Sequence, residues 1–210
     1  MALPKLKPFY TVKNYLEIDR ASDERYEYLD GEIYLMAGES GAHGDICTNL
    51  VREFSFQLKG SPCRARSKDT KVRSSGIVRL NVTTKGMFSY PDLVVICGAP
   101  QYHDEVSDII LNPAIICEVL SESTEKFDRG EKFERYRMWN PTLTDYLLVS
   151  QDKPLVERFT RQSDDSWLLR EYRGLEAILT LESINCRISL TEIFDRIEFA
   201  DDLDEEIVVD

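Results

Sequence analysis

Two strongly apolar runs, each carrying one carboxylate, constrain the fold of this chain more than any other feature. SYPDLVVICG (residues 89–98) and AIICEVLS (residues 114–121) predict strands that are buried on both faces of a sheet. Glu118 lies inside the second run. A carboxylate removed from water without a partner costs several kcal/mol or takes up a proton. We therefore expect a cation, a hydrogen-bond network or a metal ion beside Glu118.

The alternation of side chains along a strand links Glu118 to a second carboxylate. Asp92 shares a face of the first run with Val94, and Glu118 shares a face of the second with Ile116. If the two strands are neighbours, Asp92 and Glu118 converge on one side of the sheet. Mg²⁺ prefers oxygen ligands and commonly takes one or two carboxylates. The pair is a candidate Mg²⁺ site, with Mn²⁺ as a possible substitute.

A helix predicted over residues 121–140 supplies a third element. Asp128, Lys132 and Tyr136 are spaced four residues apart, so they share one stripe of that helix. A helix that begins just after the Glu118 strand packs back over it. Lys132 is then expected near the carboxylates, where it can stabilise charge that develops on a phosphate.

The remaining patterns predict a single α/β domain over residues 1–195. RYEYLDGEIYLMAG is typical of a β-hairpin with its turn at Asp30-Gly31, and residues 43–59 repeat apolar side chains at helical spacing. Further strands follow residue 145. We expect a mixed central sheet flanked by helices, with an N-terminal hairpin and additional C-terminal strands.

The distribution of charge leaves nucleic-acid binding open. The net charge is −12, which argues against an indiscriminate nucleic-acid binder. Residues 196–210 are strongly acidic and predict a solvated C-terminal tail. Between residues 59 and 85 the sign reverses. The cations there form either a solvated basic segment or a surface that faces phosphates, and the candidates are Arg64, Arg66, Lys68, Lys71 and Arg73.

The cysteines and the N-terminal sequence suggest a cytoplasmic protein. No two of the 5 cysteines form C-x-x-C, and Cys97 and Cys117 are expected to pack as small apolar side chains. We therefore expect no zinc or disulfide framework. His103 lies in a polar stretch and is expected to be solvated. No run approaches the ~20 apolar residues of a membrane span, and the first residues lack the apolar core of a secretion signal.

Several motifs together resemble a known nuclease family. Pro91-Asp92 followed by Glu118-Val119-Leu120 resembles the PD-(D/E)XK nuclease signature. The order and spacing of the motifs over about residues 9–195 resemble the Uma-type restriction endonuclease family of that superfamily. The matching pieces are YEYLDGE, His43, YPDLVV, ICEVLSEST and the set Asp128, Lys132 and Tyr136.

The resemblance implies a restriction-endonuclease-like fold and a Mg²⁺-dependent endonuclease that acts on DNA, commonly as a homodimer. Asp92, Glu118 and the backbone carbonyl of Val119 would hold the metal. Leu120 stands where the superfamily has its usual lysine, so Lys132 on the following helix would take over that role. Accessory site residues would come from His43, Glu53, Glu32, Glu27, Asp128 and Tyr136.

Two other functions remain open at this point. A nuclease fold that has lost cleavage and serves as an interaction protein would suit the acidic balance. A phosphodiesterase that acts on small substrates would also tolerate the negative charge. Glu118 itself could be paired with a buried cation in the core, without any metal.

Overall fold

The computed structural model describes residues 9–36, 38–76 and 83–199. In chain order these residues form α1 (Val12–Ala21), β1 (Tyr26–Leu29), β2 (Glu32–Leu35), α2 (Gly41–Gln57), β3 (Cys63–Ser67), β4 (Lys71–Ser74), β5 (Met87–Ser89), β6 (Leu93–Cys97), β7 (Ile109–Ile110), β8 (Ile115–Val119), α3 (Glu125–Phe127), a π-helical turn (Asp128–Lys132), α4 (Phe133–Trp139), β9 (Asp145–Val149), β10 (Leu155–Arg161), β11 (Trp167–Arg173), β12 (Ile178–Leu181), β13 (Cys186–Ser189) and α5 (Leu190–Ile193).

A mixed six-stranded sheet lies at the centre, in the order β11-β10-β9-β8-β6-β3. β8 and β9 are parallel, whereas the other neighbouring strands are antiparallel. Parallel neighbours need a crossover connection, and here it is the helical run over residues 125–139, which we call the site helix. The predicted mixed sheet flanked by helices is confirmed.

The two faces of the sheet bury separate apolar clusters. On one face, Leu93 and Cys117 pack with Ile46 and Leu50 of α2. On the other face, Ile116 and its neighbours pack with the site helix, where the rings of Phe133 and Tyr146 stack 4.7 Å apart. Because β6 and β8 are covered on both sides, their sequences read as continuous apolar runs.

The predicted N-terminal hairpin is also confirmed. β1 and β2 pair antiparallel around Asp30 and Gly31, whose φ angles are +47° and +97°. Positive φ at both central residues is what a type I′ turn requires. The hairpin belongs to a second sheet of order β2-β1-β5-β4-β7. Asp92 lies in the short segment that connects β5 of this sheet to β6 of the central sheet.

The C-terminal strands are present as predicted. β12 and β13 pair antiparallel, and they pack with α5 against the α2 side of the central sheet. Of the predicted tail, Ile197 and Phe199 are partly buried against the same cluster, whereas residues 200–210 lie outside the described residues. Among the described residues, no helix has both the length and the apolar character that crossing a bilayer requires.

A disulfide joins Cys63 to Cys97, so the expectation that no disulfide forms was wrong. Antiparallel pairing of β3 with β6 sets the two residues directly opposite each other. Spacing along the chain gave no sign of this bond, because its partners are separated by 34 residues and meet only through strand register. Cys47, Cys117 and Cys186 are buried and free.

Asp30 ties the hairpin to the site helix. Its carboxylate accepts hydrogen bonds from the Arg135 guanidinium at 2.9 and 3.2 Å and from the Gly86 amide at 2.8 Å. Partial burial raises the pKa of Asp30, but these hydrogen bonds and the charge of Arg135 outweigh it, so the pKa lies below its usual value.

We predict that Asp30→Asn weakens the fold near neutral pH by about 1 kcal/mol, because the variant loses charge-assisted hydrogen bonds at a partly exposed site. A lowered pKa adds stability above the ordinary carboxyl pKa of about 3.9, and this stability is lost as the pH falls through the native value. Urea unfolding at pH 7 and at pH 3 measures the difference. A gap that is as large at pH 3 as at pH 7, or an equal loss in the exposed Asp23→Asn control, would contradict the assignment.

Candidate active site

Glu118 is buried against a lysine from the site helix. Only 3% of Glu118 and 5% of Lys132 are exposed, and the ammonium lies 3.0 Å from Glu118 Oε1. The cation expected beside Glu118 is therefore present, and the site helix supplies it.

Two further carboxylates surround the same ammonium. Asp128 Oδ1 lies 3.2 Å from Lys132 Nζ, and Glu27 Oε1 lies 3.8 Å from it. Asp128 is 2% exposed, and its Oδ1 atom makes no well-aligned hydrogen bond. Three acids facing one lysine give this cluster an excess of negative charge, which favours uptake of a proton or of a further cation.

Tyrosine hydroxyls hold the acidic cluster in place. Tyr136 donates a hydrogen bond to Glu118 Oε1 at 3.1 Å, and its hydroxyl also bonds to Ser89 Oγ at 2.8 Å. The Tyr146 hydroxyl donates to the Asp128 carbonyl at 2.9 Å. Tyr136 and Tyr146 are fully buried. These bonds fix the orientation of Glu118 relative to the site helix.

A π-helical turn places Asp128 and Lys132 against the central sheet. The turn spans Asp128–Lys132 and contains Gly130, with α3 before it and α4 after it. Single π turns inside helices are rare and are frequent at functional sites. The predicted stripe is confirmed in its essential feature, since Asp128, Lys132 and Tyr136 are all buried on the inner side.

Asp92 lies at the adjoining end of β6. Leu93 pairs with Cys117, so continuing the antiparallel register by one residue sets Asp92 opposite Glu118. Its Oδ2 atom accepts a hydrogen bond from the Val119 amide at 2.7 Å and lies 3.4 Å from His43 Nε2. The Asp92 carboxylate therefore contacts the end of β8 and lies near α2, whereas the Glu118 carboxylate faces the site helix.

Burial and neighbouring charges shift the pKa values of Glu118 and Lys132. Burial raises the pKa of Glu118 well above its usual value, Lys132 opposes this, and the charges of Asp128 and Asp92 add to it. Burial disfavours charge on Lys132, but Glu118 and Glu27 outweigh it, so the pKa of Lys132 is raised and the ammonium stays charged.

Of the other predicted accessory residues, Glu27 joins the cluster and Glu53 does not. Glu27 Oε1 also accepts a hydrogen bond from the Tyr90 amide at 2.9 Å. Glu53 pairs with Arg52 at 3.0 Å and lies about 15 Å along α2 from His43, at 1.5 Å per residue. Its seven-residue spacing from Ile46 predicted an inward position, but Glu53 lies nearly three turns beyond His43 and so is too far along α2 to reach that residue. Glu32 accepts a hydrogen bond from Tyr34 at 2.8 Å.

Within residues 59–76 and 83–85, the described part of the basic segment, the cations do not form one phosphate-facing surface. Lys71 is 2% exposed and ion-paired with Asp19, so its prediction as a phosphate contact was wrong. Arg66 bonds to the Tyr102 hydroxyl at 2.8 Å, and Lys68 pairs with Glu39. Arg64 is exposed on β3, at the edge of the central sheet.

His103 is half-buried, which corrects the expectation of a solvated side chain. Its Nδ1 atom accepts a hydrogen bond from Arg73 at 2.9 Å, and its ring meets Phe88 edge-on. Burial lowers the pKa of His103, and the charge of Arg73 lowers it further. This pairing also occupies Arg73, which was another predicted phosphate contact.

Sequence reasoning missed the neighbours of His43. Its Nδ1 atom lies 3.2 Å from Glu39 Oε2 and 3.4 Å from Cys47 Sγ. The four-residue spacing of His43 and Cys47 was the available signal, since it places these two side chains on one face of α2. Glu39 precedes the N-cap Ser40, so helical spacing does not place its side chain.

The sheet, the two flanking helices and the cluster at the strand ends define a restriction-endonuclease-like fold. A crystal structure described as a putative nuclease belonging to DUF820, from Anabaena variabilis, superposes with a TM-score of 0.69. The match covers 88% of this chain and 97% of that chain at 15% identity, which establishes the fold alone.

The chain belongs to the Uma2 family, described as "Putative restriction endonuclease", whose profile matches residues 12–191. Two relatives from Synechocystis sp. are each 32% identical to this chain. The uncharacterized protein slr1290 aligns over 93% of this chain and 95% of its own length, and the uncharacterized protein sll1609 over 80% and 89%. The predicted family resemblance is confirmed.

We predict that Lys132→Met destabilises the protein by about 3–5 kcal/mol, because it leaves buried carboxylates without their cation. Adding Glu118→Gln should restore part of the loss, since fewer charges then remain unpaired. Urea unfolding of the single and double variants measures both effects. The exposed Lys153→Met serves as the matched control, and a loss no larger than that of the control would refute the pairing.

Proposed function

We propose that this protein is a Mg²⁺-dependent endonuclease that hydrolyses phosphodiester bonds of DNA. The observation that carries the proposal is the cluster of the buried Glu118 and Asp128 and the partly buried Glu27 around Lys132, beside Asp92 at the adjoining strand end. It lies in a chain whose family and fold are those of nucleases.

The donor set suits a hard divalent cation. The cluster has more carboxylates than cations, and Asp128 Oδ1 is buried without a well-aligned hydrogen bond. Carboxylate oxygens are the ligands that Mg²⁺ and Mn²⁺ prefer. Asp92 and Glu118, with the backbone carbonyl of Val119, would hold the ion. When bound, it would polarise the scissile phosphate and make a coordinated water a stronger nucleophile.

Lys132 has a separate task in this proposal. Its ammonium is held at the cluster by Glu118 and Asp128. There it would stabilise the negative charge that develops in the transition state. Leu120 cannot supply that charge from the strand. His43 would orient Asp92, whose Oδ2 atom it approaches to 3.4 Å.

Two alternatives have observations in their favour. The engagement of Lys132 by Glu118, and of Asp92 by the Val119 amide, suits a catalytically silent interaction protein. The net charge of −12 suits a phosphodiesterase that acts on small substrates. Homodimer formation also stays a prediction, and β11, an outer strand of the central sheet with Leu168 and Leu169 exposed, offers an edge for it.

We predict that purified protein cleaves plasmid DNA with Mg²⁺ or Mn²⁺ and not with a chelator. Asp92→Asn, Glu118→Gln and Lys132→Met should each lower the rate by about 100-fold or more, as loss of metal binding or of charge stabilisation implies. Gel analysis of supercoiled plasmid measures the rate, and Glu53→Gln is the matched carboxylate control.

The outcomes separate the three functions. Cleavage of a small chromogenic phosphodiester without cleavage of plasmid or labelled single strands would favour the phosphodiesterase. Absence of hydrolysis with every metal would favour the interaction protein and overturn the proposal. Activity that survives in Asp92→Asn and Lys132→Met would show that these residues have been assigned wrongly.

A further inference from the structure

We infer that the start of α2 holds a second metal site, built from Glu39, His43 and Cys47 and suited to a thiophilic ion such as Zn²⁺. One ligand atom from each side chain lies within 4.8 Å of one from each of the others. This site adjoins that of the proposed function, because His43 also approaches Asp92, but Glu39 and Cys47 have no part in the proposed nuclease chemistry.

The distances around His43 place its Nδ1 atom between the other two donors. Nδ1 lies 3.2 Å from Glu39 Oε2 and 3.4 Å from Cys47 Sγ. In a tetrahedral zinc site with bonds of about 2.0–2.3 Å, neighbouring ligand atoms lie roughly 3.3–3.8 Å apart. Both distances from Nδ1 are close to this range, whereas the third separation, between Glu39 and Cys47, is bounded only by 4.8 Å. A side-chain shift on the order of an ångström would close it, and the carboxylate of Glu39 is exposed enough to make this shift.

The opposite ring nitrogen lies close to a carboxylate, which is the usual partner of a metal-bound histidine. His43 Nε2 lies 3.4 Å from Asp92 Oδ2. A histidine that ligates through one nitrogen usually donates its other N–H to a carboxylate, which fixes the tautomer and the ring. Asp92 can play this positioning role while its Oδ2 atom also accepts the Val119 amide.

Glu39 divides its two oxygens between separate partners. Oε1 pairs with Lys68, whereas Oε2 faces His43. An ion bound at Oε2 can therefore leave the lysine in place. Thiolate and imidazole select Zn²⁺ or Co²⁺ over Mg²⁺, and the Cys47 thiol must release its proton on binding. Three protein ligands leave the fourth position open to water.

The test is a titration of chelator-treated full-length protein with Co²⁺, monitored by absorption. It is done without oxygen or reductant, so that the Cys63–Cys97 bond stays closed. We expect an intense thiolate-to-cobalt band in the near ultraviolet that corresponds to one thiolate-bound ion per chain, which Zn²⁺ abolishes and Mg²⁺ leaves unchanged.

Matched variants locate the site. Cys47→Ser should remove the thiolate band, and Glu39→Gln should weaken binding by about tenfold or more, as loss of a ligand implies. Cys186→Ser and Glu118→Gln should leave the spectrum unchanged, and urea unfolding checks that each variant is folded. Absence of the band in the unsubstituted protein, or its persistence in Cys47→Ser, would overturn the inference. Since the readout is spectroscopic, failure of DNA cleavage would not affect it.

Discussion

The buried pair of Glu118 and Lys132 is the interaction on which the arrangement of this protein depends. It joins the middle of the central sheet to the site helix across 3.0 Å. Removing one partner of such a pair costs about 3–5 kcal/mol, because the other charge is then stranded away from water. Such a pair favours the packing position of the site helix in which the two charges meet over positions that separate them.

The surroundings of the pair have more negative charge than structure alone requires. Asp128 and Glu27 face the same ammonium, and Asp92 lies at the adjoining strand end. Replacing a buried ion pair by apolar side chains is often neutral or stabilising, so an acidic cluster held by tyrosine hydroxyls indicates a use beyond stability. The π turn, a rare feature that is frequent at functional sites, supports the same conclusion.

Several features followed from local patterns and agree with the structure. The turn at Asp30-Gly31, the helix that begins near His43 and the inward stripe of Asp128, Lys132 and Tyr136 are each set by spacing within one element. Glu53 shows the limit of predictions made from residue spacing within one helix. Its spacing predicted an inward position on α2, but spacing does not state which end of a helix a neighbouring strand reaches.

The sequence by itself determined the elements, the carboxylates in the buried strands and the helix-borne lysine, because strand and helix periods fix which side chains share a face. Only the tertiary structure decided the contacts between elements. The Cys63–Cys97 bond, the burial of Lys71 against Asp19 and the meeting of His43 with Asp92 all depend on strand register and helix packing. These are set by the mutual fit of distant segments, and no spacing along one segment encodes them.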